Sequence, residues 1–434
     1  MRKTYRITEY GSFVRDKAVD GYTTLPRDTF DALENFVLSN GNKETDALEL
    51  MGVSARKGIG KIITAKNYVG VISMEDGTTI EILPKIYSQE TVSEGKTKKL
   101  LIDMLKTLRQ SPYKSLQTTN VNVENMSIFE IFIRMFIDEV FSIVKHGLKC
   151  NYETIQSNET TFKGKMKFSG QIKYNYAHKE RCFVEYDEFN TNRAENKLLK
   201  ATLLHLYRHT GSSKNKNDIK TLLNSFVDVD SSVDYNGDFS KVVMDRNTRD
   251  YSTALMWSKV FLMGKSFTSF AGSEVAFALL FPMETLFESY VAVQLRKVLN
   301  PNQYSMSTQD KKYHLFDAPQ PQFQMKPDIV VNDKATGDIY IMDTKWKILS
   351  STYHNYGISQ ADMYQMYAYQ KKYKSENVTL LYPLTDKVKN SVPIDFVSDD
   401  GALVRVRFID LFDVRSSLSQ LVVELDTMHK SHII

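Results

Sequence analysis

The stretch that most restricts this chain is residues 327–345. Two apolar runs, 329–331 and 339–342, flank a polar loop containing Gly337. Runs of strand length around such a loop specify a β-hairpin with a long turn. Folded about its midpoint, the hairpin sets Asp328 opposite Asp343. Like charges across a strand pair destabilise a sheet, and close carboxylates raise one another's pKa. A divalent cation between them removes that repulsion. Lys345 lies two residues beyond Asp343 and leaves the strand on the same face. Metal-assisted phosphodiester hydrolysis needs such a group: acids to hold Mg²⁺ and a cation beside the attacking water. A lone D-x-K at a strand end is common, and Asp328 could equally be a turn residue after Pro327, so the flanking sequence decides.

Upstream, Met283, Phe287, Tyr290 and Val291 repeat at helical spacing, with Glu284 and Glu288 four apart on another face. Downstream, residues 359–369 read as a second helix, with Gln365 and Tyr369 four apart and Ser359 and Asp362 as an S-x-x-D cap. An apolar strand, 378–382, follows. Helix, hairpin with D…D-x-K, helix with Q-x-x-x-Y, then strand: this order resembles the PD-(D/E)xK nuclease fold. More closely, Leu286-Phe287-Glu288, Lys326-Pro-Asp328, Asp343-Thr-Lys345-Trp346-Lys347 and Tyr364-Gln365-Met-Tyr367-Ala-Tyr369 resemble McrC, the family of nuclease subunits of McrBC modification-dependent restriction systems.

The resemblance implies roles. Asp328 and Asp343 hold Mg²⁺ (or Mn²⁺), the Thr344 backbone carbonyl completes the site, and Glu288 reaches the metal directly or through water. Lys345 orients the attacking water and stabilises charge on the phosphorane. Gln365 and Tyr369 support the site or touch the DNA backbone. Trp346 points away from Lys345 into packing. It also implies a McrB-like AAA+ GTPase ring as partner, DNA as substrate, and dimerisation of nuclease domains. Two other readings stay open: a non-catalytic adaptor of a ring NTPase, and a stand-alone RecB-like repair nuclease. A decayed site would be expected to lose one of Asp328, Asp343 or Lys345, and all three are present.

With 434 residues, two or three domains are expected. The fold class is mixed α+β and α/β. Residues 1–105 form a strand-rich N-terminal domain that the resemblance makes the partner-docking domain. Residues 106–265 are a helical and β central region, and 266–434 a PD-(D/E)xK endonuclease domain. A net charge of +4 is compatible with nucleic acid without requiring it. Only Cys150 and Cys182 are present, so no disulfide framework is indicated and a reducing cytoplasm fits. The N-terminus has no apolar h-region, so no signal peptide is expected. The apolar stretch 251–283 is broken by Lys259, Lys265 and Glu274 and reads as core, not as a membrane span.

Other elements follow local chemistry. A helix is expected over 28–38, and a hairpin from 68–74 and 78–84 around Gly77. Residues 89–99 read as a linker, with helical periodicity from Lys98. Ser127 and Glu130 have capping-box spacing, opening a helix that runs to about His146 and stops at Gly147. Residues 162–174 alternate, with Lys163, Lys165, Lys167 and Lys173 on one face and Phe162, Met166, Phe168, Ile172 and Tyr174 on the other. That spells a strand with a basic face for DNA phosphates, or an edge guarded by Lys. Helices are expected over 194–209 and 252–263, a loop over 212–218, and a surface connection over 227–241. His205 and His209 have the spacing of a zinc pair, but Leu206 stands where H-E-x-x-H needs Glu. A strand over 403–409 and a helix over 411–428 close the chain.

Gly58-Ile-Gly60-Lys61 fails as a phosphate loop because Ala55 and Ile62 replace the required Gly and Ser/Thr. The purified chain alone is therefore expected to hydrolyse neither GTP nor ATP, and a phosphate-release assay that found turnover would refute this.

Overall fold

Strands buried on both faces read as continuous apolar runs, not as alternations. Such runs lie side by side at the centre of a six-stranded sheet with the order Tyr304–Thr308, Ile329–Asp333, Ile339–Thr344, Asn377–Pro383, Leu403–Ile409, Ile394–Val397. The structure is a computed structural model and describes residues 3–39, 50–74, 76–86, 94–108, 126–243, 249–263, 275–375, 377–388 and 393–431. Ile339–Thr344, Asn377–Pro383 and Leu403–Ile409 pair in parallel, and the outer strands pair antiparallel. A parallel neighbour needs a long crossover, and helix Gln360–Tyr373 supplies it between the first two. Its Met366, Tyr369 and Tyr373 pack with Ile341, Val378 and Leu380 into one core. Ser359 caps this helix as the sequence implies, accepting from the Asp362 N–H at 3.1 Å. The expected closing strand is Leu403–Ile409, and the expected closing helix is Val414–Ser431.

The chain divides into two compact units. One holds residues 4–72, 78–128 and 279–434; the other holds 129–278 with the short pieces 1–3 and 73–77. The front of the chain is strand-rich as expected. Strand Thr4–Thr8 pairs in parallel with Thr79–Leu83, beside Tyr68–Met74 and then Val275–Pro282. A second sheet has the order Thr23–Leu25, Ser12–Arg15, Gly60–Ala65, Met51–Arg56. Helix Arg27–Ser39 matches the expected one. The Gly58–Gly60 segment is the turn of a hairpin, with both glycines at positive φ, +84° and +96°. Gly70 has another reason: a Cβ there would lie 2.0 Å from the Leu279 carbonyl oxygen, so the strands approach only without a side chain.

Glu81 is fully buried and is the polar centre of the larger unit. It accepts from Arg6 Nε at 2.9 Å and from the Ile128 N–H at 2.6 Å, and pairs with Lys98 Nζ at 3.2 Å. Lys98 is itself buried and also donates to the Met126 carbonyl. Helical periodicity was expected from Lys98, at the end of a linker; helix Glu94–Leu105 begins four residues earlier, and Lys98 turns inward to Glu81. Part of that linker, residue 75 of the expected turn, and the 265/266 domain boundary lie outside the described residues.

In the second unit, the expected helix Ile128–His146 ends as foreseen before Gly147, at φ +86°. Glu130 reaches beyond its own helix. Its carboxylate accepts from the Thr210 hydroxyl, the Gly211 N–H and Asn215 Nδ2, docking the next helical pair. That contact also overturns the loop expected over 212–218. Ser212 caps helix Ser213–Asn224, accepting from the Asn215 N–H at 3.3 Å. The connection expected over 227–241 ends in helix Tyr235–Lys241. Ala194–His209 and Ser252–Met263 match expectation. Trp257 stacks on Phe261 in this core, and Phe132 meets Trp257 at a tilt.

The strand expected over 162–174 is not there. Only Lys165–Met166 is extended; Gly164 turns the chain at φ +58°, and Phe168–Asn175 is a helix. Phe168, Ile172 and Tyr176 are even-numbered but also four apart, so helical spacing hid inside the alternation. All are exposed. The lysines do not line up along one strand: Lys167 pairs with Glu185 at 2.7 Å, Lys163 lies over Tyr186, and Lys173 lies over Tyr174.

Replacing Glu81 with Leu leaves Lys98 buried without its carboxylate and should cost about 3 kcal/mol. A Glu81→Leu/Lys98→Met double variant should recover most of that loss in a urea unfolding curve. Additive losses would show that the pair is not coupled.

Candidate active site

The hairpin register runs Ile329 to Met342 and Val330 to Ile341, which sets Asp328 across from Asp343 one step beyond the ladder. Both carboxylates lie at the C-terminal end of a central parallel strand. Asp343 is 2% exposed. Asp328 Oδ2 accepts from the Thr344 N–H and from the Thr344 hydroxyl, each at 2.8 Å. Lys345 is on the same side as Asp343, as the two-residue spacing requires, with Nζ 2.5 Å from Asp343 Oδ2. Nζ also donates to Gln365 Oε1 at 3.2 Å and lies 3.9 Å from Asp362. Gln365 Nε2 in turn donates to the Tyr369 hydroxyl at 2.8 Å. The Q-x-x-x-Y helix therefore fixes the lysine through a side-chain relay. Asp362, read from sequence as a cap, has both functions: its N–H meets Ser359, and its carboxylate faces Lys345.

The electrostatics match this crowding. Burial, then the neighbouring Asp328, pushes Asp343 up to about 7, against the pull of Lys345. Burial also raises Asp328, opposed by the Thr344 donors. Burial works against the charge on Lys345, but Asp343 outweighs it and the net shift is upward. Burial and Asp343 push Tyr369 up to about 12. A buried and a half-buried carboxylate with raised proton affinity are a donor set short of positive charge, and they fit a divalent cation. Mg²⁺ binds through one or two carboxylates and keeps several waters.

Glu288 sits on helix Met283–Val298 and is linked to Asp328 through Gln309. Gln309 stands between them. Its Nε2 donates to Glu288 Oε1 and lies 3.4 Å from Asp328 Oδ1, while its N–H donates to the Asp328 carbonyl at 2.9 Å. Gln309 is held at φ +52°, an uncommon conformation for a residue with a side chain. No motif marked it. The signal was the edge strand Tyr304–Thr308, whose register pairs Thr308 with Ile329 and so delivers residue 309 to Asp328. Among the described residues, no three His, Cys, Asp or Glu side chains converge as a metal centre. His205 and His209 stack on each other at 4.3 Å, and burial with the facing His209 lowers His205 to about 4.

These groups open on a cavity of about 650 Å³ lined by Tyr10, Glu288, Asp328, Lys345, Lys347 and Asp362, among others. Tyr10 comes from the front of the chain. Its neighbour Glu9, 1% exposed, accepts the Trp346 indole N–H on both oxygens, at 2.9 and 3.0 Å, and the Lys85 N–H at 2.8 Å. Trp346 packs on Phe287 as expected, with ring centroids 5.4 Å apart, but its polar partner was not foreseen.

A family model described as McrBC 5-methylcytosine restriction system component matches residues 63–383. Among solved structures, the chain is similar to one in the refined half-complex from a tetradecameric assembly of Thermococcus gammatolerans McrB AAA+ hexamers with bound McrC. The TM-score is 0.67 at 18% identity, over 98% of this chain and 100% of that one. A chain of the cryo-EM structure of the McrBC complex from the same organism gives a TM-score of 0.50 at 20% identity, over 69% of this chain and 88% of that one. At such identities the likeness is one of fold. Comparison with curated proteins finds no match.

Burial raises Glu9 to about 7, only partly opposed by its donors. Its folded pKa exceeds the unfolded one, so its stabilising effect is full below about pH 4.5 and is lost as pH rises through 7. Between pH 5 and 8 the wild type should therefore lose about 2 kcal/mol relative to Glu9→Gln. Thermal melts across that range that stay parallel would refute the assignment.

Proposed function

The chain belongs to the McrBC family of 5-methylcytosine restriction system components, and from that premise we propose that it is the Mg²⁺- or Mn²⁺-dependent DNA endonuclease subunit of such a system, of the PD-(D/E)xK type. It cuts phosphodiester bonds when assembled with a McrB-like AAA+ GTPase ring and stimulates that ring's NTP hydrolysis. The observation that carries the reading is the meeting of Asp328, Asp343 and Lys345 at one end of the hairpin: Asp328 and Lys345 line one cavity, and buried Asp343 lies 2.5 Å from the lysine and keeps a raised proton affinity. The bound McrC of the Thermococcus gammatolerans McrB AAA+ hexamers supports the choice of partner.

Asp328, Asp343 and the Thr344 carbonyl are the residues that would hold the cation. When bound, a divalent cation polarises the phosphoryl oxygen and lowers the pKa of water. The protein's own residues do the rest. Lys345 holds the attacking water by hydrogen bond and stabilises the charge that develops on phosphorus-bound oxygens. Gln365, backed by Tyr369, keeps the Lys345 ammonium directed toward the acids. Glu288 acts through Gln309, which restrains the Asp328 carboxylate. Lys163, Lys165 and Lys173 are offered to DNA phosphates from separate positions, whereas Lys167 is engaged by Glu185. An adaptor that had lost its chemistry would have no need to keep two repelling carboxylates together beside a lysine.

In complex with its ring partner, Asp343→Ala or Lys345→Ala should cut DNA at under about one-hundredth of the wild-type rate, with the fold intact. Plasmid cleavage at the wild-type rate by Asp343→Ala would sink the assignment. In the isolated chain, Mg²⁺ or Mn²⁺ should raise the melting temperature of the wild type and much less that of Asp328→Asn, because the ion binds the native acid pair. Equal shifts would put the metal elsewhere.

A further inference from the structure

We propose that Tyr10, carried on the turn between strands Thr4–Thr8 and Ser12–Arg15, is a DNA-contacting residue of the nuclease site, its phenol meeting the phosphodiester backbone. The proposal rests on the reading above for the identity of the substrate and adds a residue from the front of the chain. Tyr10 lines the same cavity as Asp328 and Lys345. It is 56% exposed, so much of the side chain is open to solvent.

Its backbone adds a second argument. Tyr10 sits at φ +60°, where a residue with a Cβ is strained by about 1 kcal/mol or more. Glycine or asparagine would occupy that position at lower cost. The strain persists because the turn is fixed from every side. The Glu9 N–H donates to the Leu83 carbonyl at 2.9 Å and the Tyr10 N–H to the Ala65 carbonyl at 3.1 Å. The Gly11 N–H donates to the Thr8 carbonyl at 2.9 Å, and a Cβ on Gly11 would lie 2.7 Å from that oxygen. Glu9 then ties the turn to Trp346, the residue directly after Lys345.

A turn this rigid, joined 337 positions along the chain to the nuclease hairpin, holds the Tyr10 backbone beside the segment that carries Lys345. Exposed Lys347 lines the same cavity. A hydroxyl donor with an ammonium is the pairing that positions a phosphate without reading a base.

The test uses the full chain and a fluorescent DNA duplex, with Ca²⁺ in place of Mg²⁺ to hold off cleavage. Tyr10→Gly removes the phenol while suiting the left-handed backbone, so its melting temperature should not fall. Its Kd for the duplex should rise about 5- to 10-fold. With Mg²⁺ and the ring partner, KM should rise similarly while kcat stays within about twofold. Unchanged Kd, or a fall in kcat at constant KM, overturns the proposal, as does a wild type that binds no duplex. If Tyr10→Gly weakens binding but neither protein cuts, the nuclease reading fails and the DNA contact stands. If Asp343→Asn abolishes cleavage and Tyr10→Gly changes nothing, the reverse holds.

Discussion

The antiparallel pairing of Ile329–Asp333 with Ile339–Thr344 is the interaction on which the whole site depends. A slip of one residue would turn every side chain of one strand to the opposite face. Asp343 would then turn away from Asp328, and Lys345 would leave the cavity with it. The register is held because both strands are apolar and buried, and because Ile339–Thr344 is also paired in parallel with Asn377–Pro383. The sheet thus forces together two groups that repel. Lys345 relieves the repulsion only in part, and burial together with Asp328 still raises the Asp343 carboxyl to about 7.

Three buried carboxylates in the larger unit show three ways of tolerating a charge away from water. Glu81 has the Arg6 and Lys98 cations and a backbone N–H. Glu9 has an indole and a backbone N–H at close range, both neutral, and its pKa rises. Asp343 has a lysine, but also a facing carboxylate. Pairing with cations makes a structural centre. An incompletely compensated pair in a cavity marks a site where chemistry is to be supplied.

Much of this was legible in the sequence, for identifiable reasons. Asp328, Asp343 and Lys345 were readable because period-two geometry fixes which side chains share a face. Gln365 and Tyr369 were readable because period 3.6 does the same for a helix. Gln309, Glu9 and Tyr10 were not, because each reaches the site through pairing between distant segments, which leaves no local pattern. The 162–174 segment failed for the opposite reason. Its pattern was clean but ambiguous, since alternate residues include those four apart, and burial did not arbitrate because Phe168 and Ile172 remain exposed. The helix at Ser213–Asn224 was missed because its start depends on a carboxylate, Glu130, some eighty residues earlier.

The bond between Glu9 and Trp346 also bears on how the chain is made. A ribosome adding roughly 5–20 residues per second needs on the order of tens of seconds to travel from one to the other. During that interval the first strands are complete but their last neighbours do not yet exist. The segment 129–278, largely continuous in sequence, is finished and able to close while the outer segments wait. A product cut short before Trp346 therefore carries the Glu9 turn with nothing to anchor, and one cut short before Asn377–Pro383 lacks the strand that clamps the acid pair. Interrupted synthesis yields chains with no assembled site, and the acid pair becomes whole only near the end of translation.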